Sequence, residues 1–195
     1  MPQPASAKPL RADTERTVRA ILEAAERVLA VNPAATMEQI AEAAGVARTT
    51  VHRRFASREA LIRALAAWAT QRFHEAVEAA RPETAPPSVA LYQVTANVLR
   101  VKVSWGFAMG ALPTDDPEVA RVHADVMTRC ARLFARTRDA GLLRPDADLD
   151  WARTVYYALI HEAAIQSPET DAAVDALATR VVDTLLHGVG TPASG

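Results

Sequence analysis

Cysteine is almost missing from this sequence: Cys130 stands alone, so an internal disulfide is excluded and no Cys-x-x-Cys metal spacing exists. Aromatic residues supply only 5% of the 195 positions, and there are just 7 glycines. Alanine makes up much of the apolar half, which disfavours a β-sandwich built on Val, Ile and Tyr and favours helices. No apolar run approaches the length of a membrane span, and Met1 to Leu10 lacks the apolar core of a signal peptide. The expectation is a cytoplasmic protein in a reducing compartment, with no membrane partner. Neither sign of charge is in excess. A net charge of −1 gives no global attraction to nucleic acid, so any DNA-binding function must rest on how the charges are placed.

Their placement is uneven. Residues 1–60 carry nine Lys/Arg against seven Asp/Glu, and the remainder carries thirteen against sixteen. Residues 1–13, rich in Pro, Ala and polar side chains without periodicity, are expected to form a disordered tail. From Thr14 the apolar positions Val18, Ile21, Leu22, Ala25, Val28 and Leu29 recur at helical spacing, and Asn32-Pro33 ends that helix. Short helices are expected from Thr36 to the stop at Gly45 and from about Ala47 to Phe55, and a long one after Ser57. The prolines at 82, 86 and 87 then break the chain. A second helical array follows, with a Gly-bracketed aromatic stretch at 104–110, a start signal at Asp115-Asp116-Pro117-Glu118, a stop at Gly141, and two last helices from about Asp148 and from Ser167-Pro168 to Gly188. No strand pattern or internal repeat is present. The expected fold is all-α in two parts: residues 14–60 as a helix-turn-helix DNA-binding domain and 61–190 as a larger helical domain.

Residues 36–55 carry the most chemistry. A short helix, a glycine where φ must turn positive, an apolar plug at Val46 and a second short helix meet the geometric needs of a helix-turn-helix. A turn of about 100° per residue places Val51 and Phe55 on one side of the second helix and Thr49, His52 and Arg53 on the other. The outer face is then all donors. Arginine can pair with guanine edges or clamp phosphate, and threonine can offer a hydroxyl to phosphate or a methyl to thymine.

Three segments, Ile21-Leu22-x-Ala24-Ala25, Thr36-x-x-x-Ile40-Ala41-x-x-Ala44-Gly45-Val46 and Phe55-x-Ser57-Arg58-Glu59-x-Leu61, together resemble the N-terminal signature of the TetR repressor family. The resemblance covers about the first 65 residues and is specific through its combined spacings. It implies a homodimer binding double-stranded DNA at a palindromic operator, with a three-helix head and a helical body that binds a small-molecule effector. Carried over by position, Thr36 opens the helix that touches the DNA backbone. Arg48, Thr49, Thr50, His52, Arg53 and Arg54 form the recognition helix, and Arg58 meets phosphate at the start of helix four. The chain departs from the family pattern at Ala47, where Ser often caps, at His52, where Tyr is frequent, and at Asn32-Pro33, where Gly is usual.

In the larger part, aromatic and soft side chains concentrate at Tyr92, at Trp105, Phe107 and Met109, at Met127, and at Trp151, Tyr156 and Tyr157. With the polar groups Ser104, His123 and His161 they are expected to line an apolar effector pocket, and the low net charge there argues against a highly charged effector. The segment from Leu149 to Ile165 is apolar almost all round, and the last helix shows a wide stripe through Val174, Leu177, Ala178, Val181, Val182 and Leu185. Both are expected to meet a second subunit. Signs of catalysis, a cofactor or a metal site are lacking: His161-Glu162 is followed by Ile165 where a zinc motif needs a second His, and Gly188-Val189-Gly190 has no Lys-Ser/Thr after it. Cys130 sits at core spacing and is expected to pack. The expected function is a DNA-binding transcriptional regulator, a repressor released by a small apolar or aromatic effector. A same-fold activator, a ligand-independent repressor, and a helical enzyme or carrier stay open as alternatives.

Overall fold

The computed structural model describes residues 7–110, 116–166 and 168–189, with the side chains of 7–12 and of Met109 outside that description. Among the described residues every element is a helix: α1 (Ala7–Val31), α2 (Met37–Ala43), α3 (Arg48–Arg54), α4 (Arg58–Ala79), α5 (Pro87–Ser104), α6 (Gly106–Gly110), α7 (Pro117–Asp139), α8 (Leu149–Ile165) and α9 (Asp171–His187). The all-α expectation holds. Two compact units form, one from α1–α3, the start of α4 through Trp68, and α6, the other from the rest of α4 together with α5, α7, α8 and α9.

Two boundaries differ from expectation. Residues 7–13, read as part of a disordered tail, belong to α1, while residues 1–6 of that tail lie outside the described residues. Pro9 falls in the first turn, where amides have no intrahelical acceptor, so its missing N–H breaks no bond. The last helix starts at Asp171 rather than at Ser167-Pro168, because Thr170 takes the N-cap and accepts from the Ala173 amide at 3.2 Å. Ser167 itself lies outside the described residues.

In the first unit, Ile21, Leu22, Ala25 and Leu29 of α1 are buried together with Ile40 and Ala41 of α2, Val51 and Phe55 at α3, and Leu61 and Leu65 of α4. These are the positions that the three- and four-residue spacing marks. Glu26 breaks the pattern: it is buried, and its carboxylate accepts the Phe107 and Ala108 amides at 2.7 and 2.9 Å, at the start of α6. Burial pushes its pKa up, and the two amide donors oppose that shift without cancelling it. The Gly-bracketed stretch 106–110 thereby becomes a helix tied to α1 by one carboxylate. Arg19 lies over the Trp68 ring, 5.7 Å from its centre.

In the second unit α5 is central, packed by α7, α8 and α9. Leu91, Val94, Val98 and Leu99 of α5 join Leu133 and Phe134 of α7, Tyr156 and Ile160 of α8, and Val174, Leu177, Ala178 and Val181 of α9 in one core. Arg136 fixes the proline-broken connection before α5 by donating to the carbonyls of Pro82 and Ala85, the latter at 2.8 Å. Arg100 of α5 pairs with Asp175 of α9 at 2.6 Å.

Candidate nucleic-acid interface and ligand cavity

Local chemistry builds the interface. Thr36 caps α2 in a reciprocal box: its hydroxyl accepts the Gln39 amide at 3.3 Å, and the Gln39 side chain accepts the Thr36 amide at 2.9 Å. Gly45 adopts φ 66°, the left-handed conformation that a side chain resists, and so turns the chain between α2 and α3. Ala47 holds the N-cap of α3 and has no side chain able to cap it. The helix it opens buries Val51 and leaves Thr49, His52, Arg53 and Arg54 exposed, with Thr50 half-buried.

The basic side chains are not equivalent. Among the described residues Arg53 makes no hydrogen bond or ion pair, so its guanidinium stands free on the outer face beside Thr49. Arg48 pairs with Glu38 of α2 at 2.7 Å and lies 3.5 Å from the His52 imidazole. Both members of that pair are well exposed, so exchanging Glu38 for another anion costs little. Arg54 donates to the Thr14 hydroxyl of α1 at 3.1 Å. Arg58 is turned inward: it donates to the carbonyls of Pro33 and Ala35, the latter at 3.4 Å, and so fastens the start of α4 to the α1–α2 turn. In this arrangement it positions the motif.

The second unit encloses a small cavity, about 70 Å³, walled by Phe73 and Val77 of α4, Val94, Val98 and Lys102 of α5, Val126, Met127, Cys130 and Leu133 of α7, and Tyr156, Tyr157 and Ile160 of α8, with Pro82. Of the expected cavity residues it gathers Met127, Tyr156 and Tyr157. The others fall elsewhere. Tyr92 lines a polar recess with Arg100 and Asp175, and Ser104 lines another beside Thr170. Trp105 is the C-cap of α5, and Phe107 lies in α6 of the first unit. His123 and His161 are exposed, and the side chain of Met109 lies outside the described residues. Trp151, 66% exposed, lines an open groove with Val155, Leu185 and Leu186.

Hydroxyl bookkeeping separates the two cavity tyrosines. Thr95 donates its one hydroxyl proton to the Leu91 carbonyl at 2.7 Å, so the Tyr156 hydroxyl, 2.9 Å away, is the donor to Thr95. Tyr156 is therefore satisfied, and burial drives its pKa up. The Tyr157 hydroxyl is buried against the Cys130 thiol, a weak partner, and meets no oxygen or nitrogen acceptor; burial raises its pKa as well. Burial likewise raises that of Cys130, which makes a thiolate unfavourable and fits a packing role. Lys102 has a signature in the sequence that aromatic content hides: positions 94, 98 and 102 share one face of α5, so a lysine continues an otherwise apolar stripe.

Among the described residues no group of three His, Cys, Asp or Glu side chains stands close enough to hold a metal, and no helix is long and apolar enough to cross a membrane. The sequence model of bacterial regulatory proteins of the tetR family matches residues 21–65. The HTH-type transcriptional repressor LfrR of Mycolicibacterium smegmatis is 35% identical over 177 residues, which span 88% of this chain and 92% of LfrR. The crystal structure of the TetR-like regulator LfrR from Mycobacterium smegmatis in complex with proflavine superposes with a TM-score of 0.64 at 34% identity, covering 90% of this chain and 98% of that one. The TetR family regulator PfmR from Thermus thermophilus shares the fold with a TM-score of 0.72 at 18% identity, covering 88% and 99%.

Proposed function

We propose, for a chain that belongs to the tetR family of bacterial regulatory proteins and is a DNA-binding transcriptional regulator, that it acts as a homodimeric repressor released from a palindromic operator by a small apolar effector. The observation that carries this is the face of α3, where Thr49, His52 and Arg53 point outward from a helix that Val51 and Phe55 anchor in the core. In this reading Arg53 and Arg48 meet base edges or phosphate, Thr49, Thr50 and His52 fill the space between them, and Thr36 presents the start of α2 to the backbone. Residues 14–60 form the DNA-binding part, and residues 61–190 bind effector and partner.

The effector site is the α4–α5–α7–α8 cavity. Engineered apolar cavities of about 150 Å³ accept benzene, so a space of about 70 Å³ must widen before it holds a molecule of that size. An effector therefore prefers a state in which these helices stand further apart. If operator DNA prefers the narrow state, the effector lowers operator affinity by its differential binding to the two. α4 is one continuous helix that supplies Arg58 to the helix-turn-helix and Phe73 and Val77 to the cavity wall, which makes it the natural carrier of that coupling. LfrR, the relative solved with proflavine, supports a small-molecule ligand in this fold.

The partner subunit meets α8 and α9. Trp151 and Ile165 of α8 are 66% and 61% exposed, and Val155, Leu185 and Leu186 are only partly covered. Genomic fragments retained by the purified protein test the whole proposal. They should be released by an apolar compound that also shifts the protein's thermal unfolding. A compound that binds tightly and leaves retention unchanged contradicts the switch.

A further inference from the structure

One cation belongs to the cavity wall, and it has no counter-ion. Lys102 is half-buried on the α5 face that also carries Val94 and Val98, and among the described residues its ammonium makes no hydrogen bond or ion pair. No carboxylate lines the same space. From α8 the Tyr157 hydroxyl adds a buried donor that meets only the Cys130 thiol, a weak acceptor. The Arg153 guanidinium, which acts on both Tyr157 and Cys130, already has a counter-ion in Asp150 at 2.5 Å.

We infer that the effector is an apolar molecule ending in a carboxylate or comparable anionic group, held by the Lys102 ammonium and the Tyr157 hydroxyl. This rests on the cavity being the effector site. A lysine withdrawn from water without a partner loses hydration that nothing in the protein returns, and burial alone depresses its pKa. An anionic ligand supplies the missing charge where the low dielectric makes it count, and its second oxygen can accept from the tyrosine. A cationic ligand meets uncompensated like charge in the same place. The apolar remainder of the wall selects a hydrocarbon or aryl body, and a single cation selects a single negative charge.

Three probes of one shape decide the point: 4-phenylbutyrate, 4-phenylbutanol and 4-phenylbutylamine, titrated calorimetrically into the wild type and into Lys102→Met, Lys102→Arg and Met127→Trp. The acid should bind the wild type at least about tenfold more tightly than the alcohol, with the amine weakest. Lys102→Met should close the gap between acid and alcohol without weakening the alcohol, and Lys102→Arg should keep it open. Met127→Trp, which fills the cavity, should weaken acid and alcohol together. If alcohol or amine binds as tightly as the acid while Met127→Trp still abolishes binding, the anionic effector is wrong and the cavity site stands. If Met127→Trp changes nothing, or none of the probes binds, the cavity site and the inference fail together.

Discussion

Arg53 and Arg58 lie five positions apart and look alike in the sequence, yet one guanidinium is free and the other is fastened to two loop carbonyls. Residue type alone did not separate them, because the separation depends on where α4 begins relative to the α1–α2 turn. Arg53→Ala should weaken operator binding by about 1–3 kcal/mol and relax selectivity at one base pair if Arg53 reads a base. Fluorescence anisotropy against a panel of single-base operator variants measures both, and an unchanged profile with unchanged affinity removes Arg53 from the interface. Glu26 was equally opaque in the sequence: its spacing makes it one more polar position on α1, and only the return of the chain at 106–110 gives its carboxylate two amides to hold. Because its folded pKa is raised, Glu26 contributes most to stability below the ordinary carboxylate range, and that contribution falls as pH rises through the folded value. Glu26→Gln, which does not titrate, should therefore lie furthest below the wild type at about pH 4.5 and recover relative to it by about pH 7.5 in urea unfolding. A gap that is constant or grows with pH contradicts the buried-carboxylate account.

Helices and their ends were the most legible level. Thr36, Gly45, Asp116, Gly141 and Asp148 act where the sequence places them, since caps and positive-φ glycines are local devices that need no tertiary information. Ala47 is the informative exception, an N-cap without a capping oxygen. Ala47→Ser should stabilise the first unit by about 0.5–1 kcal/mol, read as a higher urea midpoint with an unchanged slope; no gain would mean that the α3 terminus is already satisfied. The stripe on α9 was legible as apolar but not as to what covers it. Val174, Leu177, Ala178 and Val181 are buried within the same subunit, and only Val182, Leu185 and Leu186 remain for a partner. A Val155→Glu, Leu185→Glu double variant should sediment at half the wild-type mass at about 10 µM. A wild type that is already monomeric there contradicts the α8–α9 interface.

At the scale of the molecule, the fold followed from periodicity and the cavity did not. A pocket is made by residues from four helices, and aromatic content misplaced it: Trp105 caps a helix and Trp151 faces the open groove, so neither tryptophan is a direct reporter of the cavity. Phe73, Val77 and Lys102 belong to it because α4 and α5 face α7 and α8 there, a relation that no window of sequence contains. The helix-turn-helix was legible because all its parts lie within twenty consecutive residues. Regulation by this protein depends on α3 delivering sequence-specific recognition of DNA. The most direct test is the retention of selected genomic fragments by the wild type and by an Arg48→Ala, Arg53→Ala variant of unchanged thermal unfolding, at two salt concentrations. The variant should lose specific retention, and its affinity should fall less steeply with salt, by about one unit of slope for each phosphate it no longer neutralises. Equal retention of the same fragments by both proteins at both salts would contradict recognition by α3.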